Sequence, residues 1–213
     1  MHLEQLVDAI GLRRGPAVVT GPAGCGKTQL CRALVQQVDA STLTAPIFDP
    51  VESEEDLLTR ILSAFGIVSR VAPPSARPRA TKQELVDALV QFLRGLRRIN
   101  ANAVLIVDDA QNLPDTALAQ IESLADLEIG RESLLQVVLA GTPELLDRLR
   151  SPEGSSLDQG VAIRVALDAP SAEAQSPPWL QRRVSSVAAL LVIALASALA
   201  VGVTTILYRQ LGF

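Results

Sequence analysis

The eight residues Gly21-Pro22-Ala23-Gly24-Cys25-Gly26-Lys27-Thr28 have the types and the spacing to hold a polyphosphate. A glycine, four residues and then Gly-Lys-Thr is the P-loop (Walker A) pattern. Backbone N–H groups can wrap a phosphate only where side chains leave room, which accounts for Gly24 and Gly26. A helix opening at Gly26 points its positive end at the same anion. Lys27 is placed to reach the β- and γ-phosphates, and the Thr28 hydroxyl to ligate Mg²⁺. The chain has 17 arginines and only two lysines, so a lysine in this slot stands out from the coding bias. The expected ligands are ATP and Mg²⁺, with all of Gly21 to Thr28 in the nucleotide site.

A polyphosphate site that does chemistry needs a second set of groups, and Val104-Leu105-Ile106-Val107-Asp108-Asp109 supplies candidates. An apolar strand would carry its terminal acids to the sheet edge where the P-loop lies. Asp108 is the candidate partner of Mg²⁺, directly or through water. Asp109 then stands where a carboxylate can orient an attacking water. Two acids after an apolar strand are often just a solvated strand end; about 80 residues downstream of a P-loop they read as the other half of the site.

The elements that must position these groups follow from local pattern. Residues 17–20 form a short apolar run leading into the glycine loop, as a buried parallel strand does. The helix after the loop shows Leu30, Leu34 and Val38 at i, i+4, i+8, and a second strand is expected over 42–48. Residues 54–65 read as a helix capped by Ser53, and 71–79, with three prolines, as a loop. Thr81-Lys82-Gln83-Glu84 is a capping-box pattern for a helix ending near Arg98. Strands are expected at 103–107, 134–140 and 161–167, with helices over 114–127 and from Pro143. This alternation predicts an α/β fold, a parallel sheet covered on both faces. The boundaries expected are a core over 1–168, a Pro/Ser/Ala linker over 169–183, a membrane helix over 184–208 and a short tail over 209–213.

The membrane expectation rests on residues 184–207, which contain no charge. As a helix they would span about 36 Å, enough for a hydrocarbon core of about 30 Å with some tilt. Trp179 and Tyr208 flank the run as interfacial aromatics do. Arg182 and Arg183 precede it and only Arg209 follows, which predicts a cytoplasmic amino-terminal domain, single-pass on a bacterial inner membrane. A net charge of −4 argues against a duplex-binding role. Cys25 and Cys31 would lie about 9 Å apart along one helix, too far to bridge, and suggest no metal framework.

Asp108-Asp109-Ala110-Gln111-Asn112-Leu113 and the stretch from Leu134 through Gly141-Thr142-Pro143-Glu144-Leu145 together resemble the ExeA/GspA type of AAA+ ATPase. The resemblance runs from about Leu3 to Pro170. It implies a three-layer P-loop core with sheet order 5-1-4-3-2, a membrane helix after the ATPase, and service to an envelope secretion or assembly machine. It also assigns Thr142 to the polar position on the fourth strand, making Lys27, Asp109 and Thr142 the expected catalytic set. The chain departs from the family where Asp109 stands in place of glutamate, where Thr142 stands in place of the usual glutamine or asparagine, where Gly160 stands in place of arginine, and where the apolar run begins in place of a helical lid. Three readings result. One is an anchored ATP-binding protein whose hydrolysis is slow or depends on a partner; another is a competent ATPase acting as a homo-oligomeric ring. The third is a degenerate, non-hydrolysing protein that recruits a partner to the membrane.

Overall fold

Five short apolar stretches meet side by side in the computed structural model, which describes residues 2–67, 81–129, 132–151 and 154–169. The strands are β1 (Ala17–Thr20), β2 (Thr42–Ile47), β3 (Asn102–Val107), β6 (Gln136–Gly141) and β7 (Ile163–Ala166). They pair in the order β2-β3-β6-β1-β7, all parallel. Numbered within the sheet alone, this is the 5-1-4-3-2 order expected of the fold. A separate two-stranded antiparallel ribbon, β4 (Glu128–Ile129) with β5 (Glu132–Ser133), leads into β6. Pro46 lies on β2, an edge strand, where a missing ladder donor is tolerated.

The central strand β3 shows why its sequence is apolar without alternation. Ala103, Leu105 and Val107 enter one buried cluster, Val104 and Ile106 the other, so both faces are covered. One layer contains α1 (His2–Gly11) and α2 (Lys27–Gln37), with Leu6, Ile10, Cys31 and Leu34 packed on the sheet. The opposite layer holds α3 (Glu54–Ala64), α4 (Lys82–Arg98), α5 (Asp115–Ala125), α6 (Glu144–Leu149) and α7 (Ser155–Gly160). Leu57, Leu58 and Ile61 of α3 meet Leu89 and Leu93 of α4 and Leu118 of α5 there in a single core.

Local signals set the helix boundaries. The Ser53 hydroxyl accepts from the Asp56 N–H, capping α3. At α4 the Thr81 hydroxyl accepts from the Glu84 N–H, and the Glu84 carboxylate accepts from the Thr81 N–H at 2.7 Å. Those bonds hold the Glu84 carboxyl below its ordinary pKa, the Thr81 backbone N–H contributing most. Pro114 and Pro143 occupy the N-cap positions of α5 and α6, one residue earlier than the first helical position expected. Leu134 and Leu135 are buried ahead of β6 without belonging to it.

The proline loop over 71–79, the linker beyond residue 169 and the charge-free run over 184–207 lie outside the described residues. Among the described residues no helix is long and apolar enough to cross a membrane.

Candidate functional site

Parallel strands deliver their carboxyl ends to one edge, and the candidate residues follow three adjacent strands there. The glycine loop follows β1, the two acids follow β3, and Thr142 follows β6. Gly24 (φ +77°) and Gly26 (φ +96°) adopt left-handed backbone that a side chain would strain. Gly21 is required for a different reason. A Cβ there would sit 2.6 Å from Cys25 Sγ and 2.7 Å from the Leu167 carbonyl oxygen. The Leu167 N–H donates to Thr20 O at 2.7 Å, which fixes that carbonyl beside the loop.

Helix α2 starts at Lys27 with Gly26 as its N-cap and no side-chain cap bond. Its first-turn N–H groups are therefore left to an anion. Lys27, 7% exposed as a residue, donates from its ammonium to the Gly21 and Pro22 carbonyls at 2.9 Å each. That conformation folds the charge back over the glycine loop. Thr28 Oγ1 donates to Asp108 Oδ2 at 2.5 Å, closing 80 positions of sequence into one contact. Two hard oxygens converging in this way suit Mg²⁺.

Asp109 takes a left-handed conformation (φ +48°) ahead of the 3-10 turn Ala110–Asn112, its N–H donating to Asp108 Oδ1 at 3.0 Å. Its carboxylate is exposed and accepts from Gln111 Nε2 at 3.2 Å. Gln111 Oε1 in turn accepts from the Thr142 N–H at 3.0 Å, and the Thr142 hydroxyl donates to Glu144 Oε2 at 2.8 Å. A cleft of about 430 Å³ gathers these groups, lined by Ala23, Gly24, Gly26, Lys27 and Thr28 on one side and Asp109, Gln111 and Thr142 on the other. Gln29 completes it.

The structure thus brings Lys27, Thr28, Asp109 and Thr142 to one cleft, with Asp108 reached through Thr28, while Gly21, Pro22 and Cys25 belong to the loop without lining the cleft. Sequence reasoning missed Gln29 and Gln111. Gln111 carried a signal, lying two residues beyond Asp109 in the motif already singled out. Neither Gly160, which ends α7, nor Arg164 lines the cleft. Arg164 donates to Asp158 O at 3.0 Å and Asp158 Oδ1 at 2.9 Å. Cys31 is buried in α2 and its thiol is pushed up to about 12 by burial first and by the Asp108 carboxylate second, with Lys27 opposing. Cys25 and Cys31 are both free thiols.

This fold belongs to a defined class. The AAA domain family matches residues 11–149, from the end of α1 to the end of α6, and the chain belongs to that family. It is similar to General secretion pathway protein A of Aeromonas hydrophila, with 35% identity over 153 residues, covering 72% of this chain and 27% of that protein. The chain therefore spans about a quarter of that relative's length. Two solved structures share the fold. The ORC2 protein of Aeropyrum pernix, in ADPNP-ADP complexes, gives a TM-score of 0.57 at 18% identity over 79% of this chain and 47% of that one. Cdc6p from Pyrobaculum aerophilum gives 0.58 at 20% identity over 78% and 44%. At such identities the likeness is one of architecture.

Proposed function

We propose that this chain is a membrane-anchored, cytoplasmic ATP-binding protein whose hydrolysis is slow or depends on a partner, serving an envelope secretion or assembly machine. The observation that carries the binding reading is the Thr28–Asp108 contact beneath an uncapped α2, with the buried Lys27 ammonium beside it. The loop N–H groups and Lys27 would hold the β- and γ-phosphates, and Thr28 with Asp108 would hold Mg²⁺. When bound, Mg²⁺ neutralises charge on the β- and γ-oxygens.

For hydrolysis, Asp109 orients a water whose oxygen bonds to the γ-phosphorus. The bond to the β–γ bridging oxygen breaks with its electron pair leaving on ADP, and the water's proton departs with the phosphate products. Two features support slow or assisted turnover. Asp109 is one methylene shorter than the glutamate of the family pattern, and among the described residues no arginine lines the cleft. An arginine supplied by another molecule is worth about 10³–10⁵ in rate. The charge-free run over 184–207 would hold the domain at the membrane, with Arg182 and Arg183 on its cytoplasmic side. The secretion role rests on the name of the relative from Aeromonas hydrophila.

Titrating labelled ATP against the full chain and its Lys27→Ala variant tests the binding reading. A unit charge about 4 Å from a phosphate charge at a partly exposed site contributes about 4 kcal/mol. Even with much of that screened, affinity should fall on the order of 10²-fold or more. A variant within about threefold of the parent would show that ATP does not bind at this loop.

A further inference from the structure

Gln111 lines the cleft with no role yet assigned to it, and its hydrogen bonds fix which way its amide faces. The Thr142 N–H is a donor, so the atom it meets at 3.0 Å must be the amide oxygen. The amide nitrogen is then the atom turned to Asp109 Oδ1, at 3.2 Å. One short side chain therefore reads two elements at once, the acid after β3 and the end of β6. Its backbone is held as well, because Arg148 of α6 donates from Nη1 to Gln111 O at 2.8 Å and from Nη2 to Asp115 Oδ1. The neighbouring strand end leaves room for it, since a Cβ on Gly141 would stand 2.6 Å from Gln111 Oε1.

Asp109 needs such a partner. Its left-handed backbone and short, exposed side chain leave the carboxylate few fixed contacts, and a loosely placed carboxylate orients water poorly. We propose that Gln111 is the positioning residue of the hydrolytic step, its amide locked by the Thr142 N–H so that it holds the Asp109 carboxylate at the cleft. Asp109 and Thr142 then move as one unit, coupling the acid after β3 to the strand end beside it. This role rests on the reading that the chain hydrolyses ATP.

Gln111→Leu removes both hydrogen bonds at similar bulk. Gln111→Glu is closer in shape and keeps an acceptor for the Thr142 N–H, but replaces the donor to Asp109 with a second carboxylate. Single-turnover and steady-state ATP hydrolysis by the full chain in lipid vesicles are measured for the parent and both variants. Gln111→Leu should lower kcat by about 10- to 100-fold, the scale of a displacement near 1 Å, while KM stays within about threefold. For Gln111→Glu the ratio of variant to parent kcat should climb several-fold as pH falls from about 8 to about 6. A carboxyl pressed against a carboxylate takes up its proton at raised pH, and the protonated form donates again.

A purely structural role would give neither the kcat-only effect nor the pH-dependent recovery. Unchanged kcat in Gln111→Leu, or a flat pH ratio in Gln111→Glu, overturns the proposal while leaving hydrolysis in place. Should Gln111→Leu fail to fold by thermal denaturation, the pH ratio of Gln111→Glu decides alone. No turnover in the parent overturns the hydrolysis reading, and this proposal with it.

Discussion

Replacing Asp109 by glutamate should make the protein a faster ATPase and a slightly less stable one. The carboxylate of Asp109 lines the cleft, but its side chain leaves the backbone at a position with φ +48°. A further methylene carries the carboxylate about 1 Å or more toward the nucleotide, and errors of that size cost about 10²-fold in rate, or about 2.7 kcal/mol of barrier. Against that gain stands the backbone. Aspartate visits the left-handed region more readily than longer side chains, and the exchange should cost about 1 kcal/mol of folding stability. Adding Gly160→Arg is sterically open, because a Cβ there meets only Pro16 Cδ at 3.8 Å. Single-turnover hydrolysis of γ-labelled ATP in vesicles should rise by about tenfold or more in Asp109→Glu, and further in the double variant when molecules assemble. Turnover that stays flat in both, with ATP affinity retained, would refute the reasoning that the short acid and the absent arginine limit the chemistry.

Other substitutions test the frame around the site. Gly95→Ala should raise stability by about 0.5–1 kcal/mol in denaturant unfolding, since Gly95 is exposed within α4 and an added Cβ meets nothing within 4 Å. Gly21→Ala should lower it by about 1–3 kcal/mol, because Leu167 O is backbone and cannot swing aside. The same variant should weaken ATP binding, which titration would read directly.

Much of the site was legible because P-loop chemistry is written in residue types at fixed spacing. Gly24 and Gly26 could be named from their neighbours alone, and β3 could be named because a strand buried on both faces reads as an unbroken apolar run. The contact between Thr28 and Asp108 was inferable as a role, and the fold supplied its geometry. What stayed hidden depended on tertiary placement. Helix α1 is the exception, because Leu3, Leu6, Val7 and Ile10 recur at helical spacing and pack on the sheet, a clear amphipathic pattern that the sequence already carried. Helix α7 begins and ends beside glycine and buries only Leu157. The two-residue strands β4 and β5 carry too few side chains to show a period. Gln111 stood inside a motif without a role of its own; its importance comes from the Thr142 N–H, which approaches it only in the folded chain.

The central claim is that Gly21 to Thr28 with Asp108 forms a single Mg²⁺–ATP site. Equilibrium ATP titration of the full chain, with Mg²⁺ and with a chelator, measured in parallel for Thr28→Ala and Asp108→Asn, tests it most directly. The parent should bind one ATP and lose about tenfold or more in affinity without Mg²⁺, and both variants should lose most of that Mg²⁺ dependence. Affinity indifferent to Mg²⁺ in the parent, or a full Mg²⁺ dependence surviving in both variants, would contradict it.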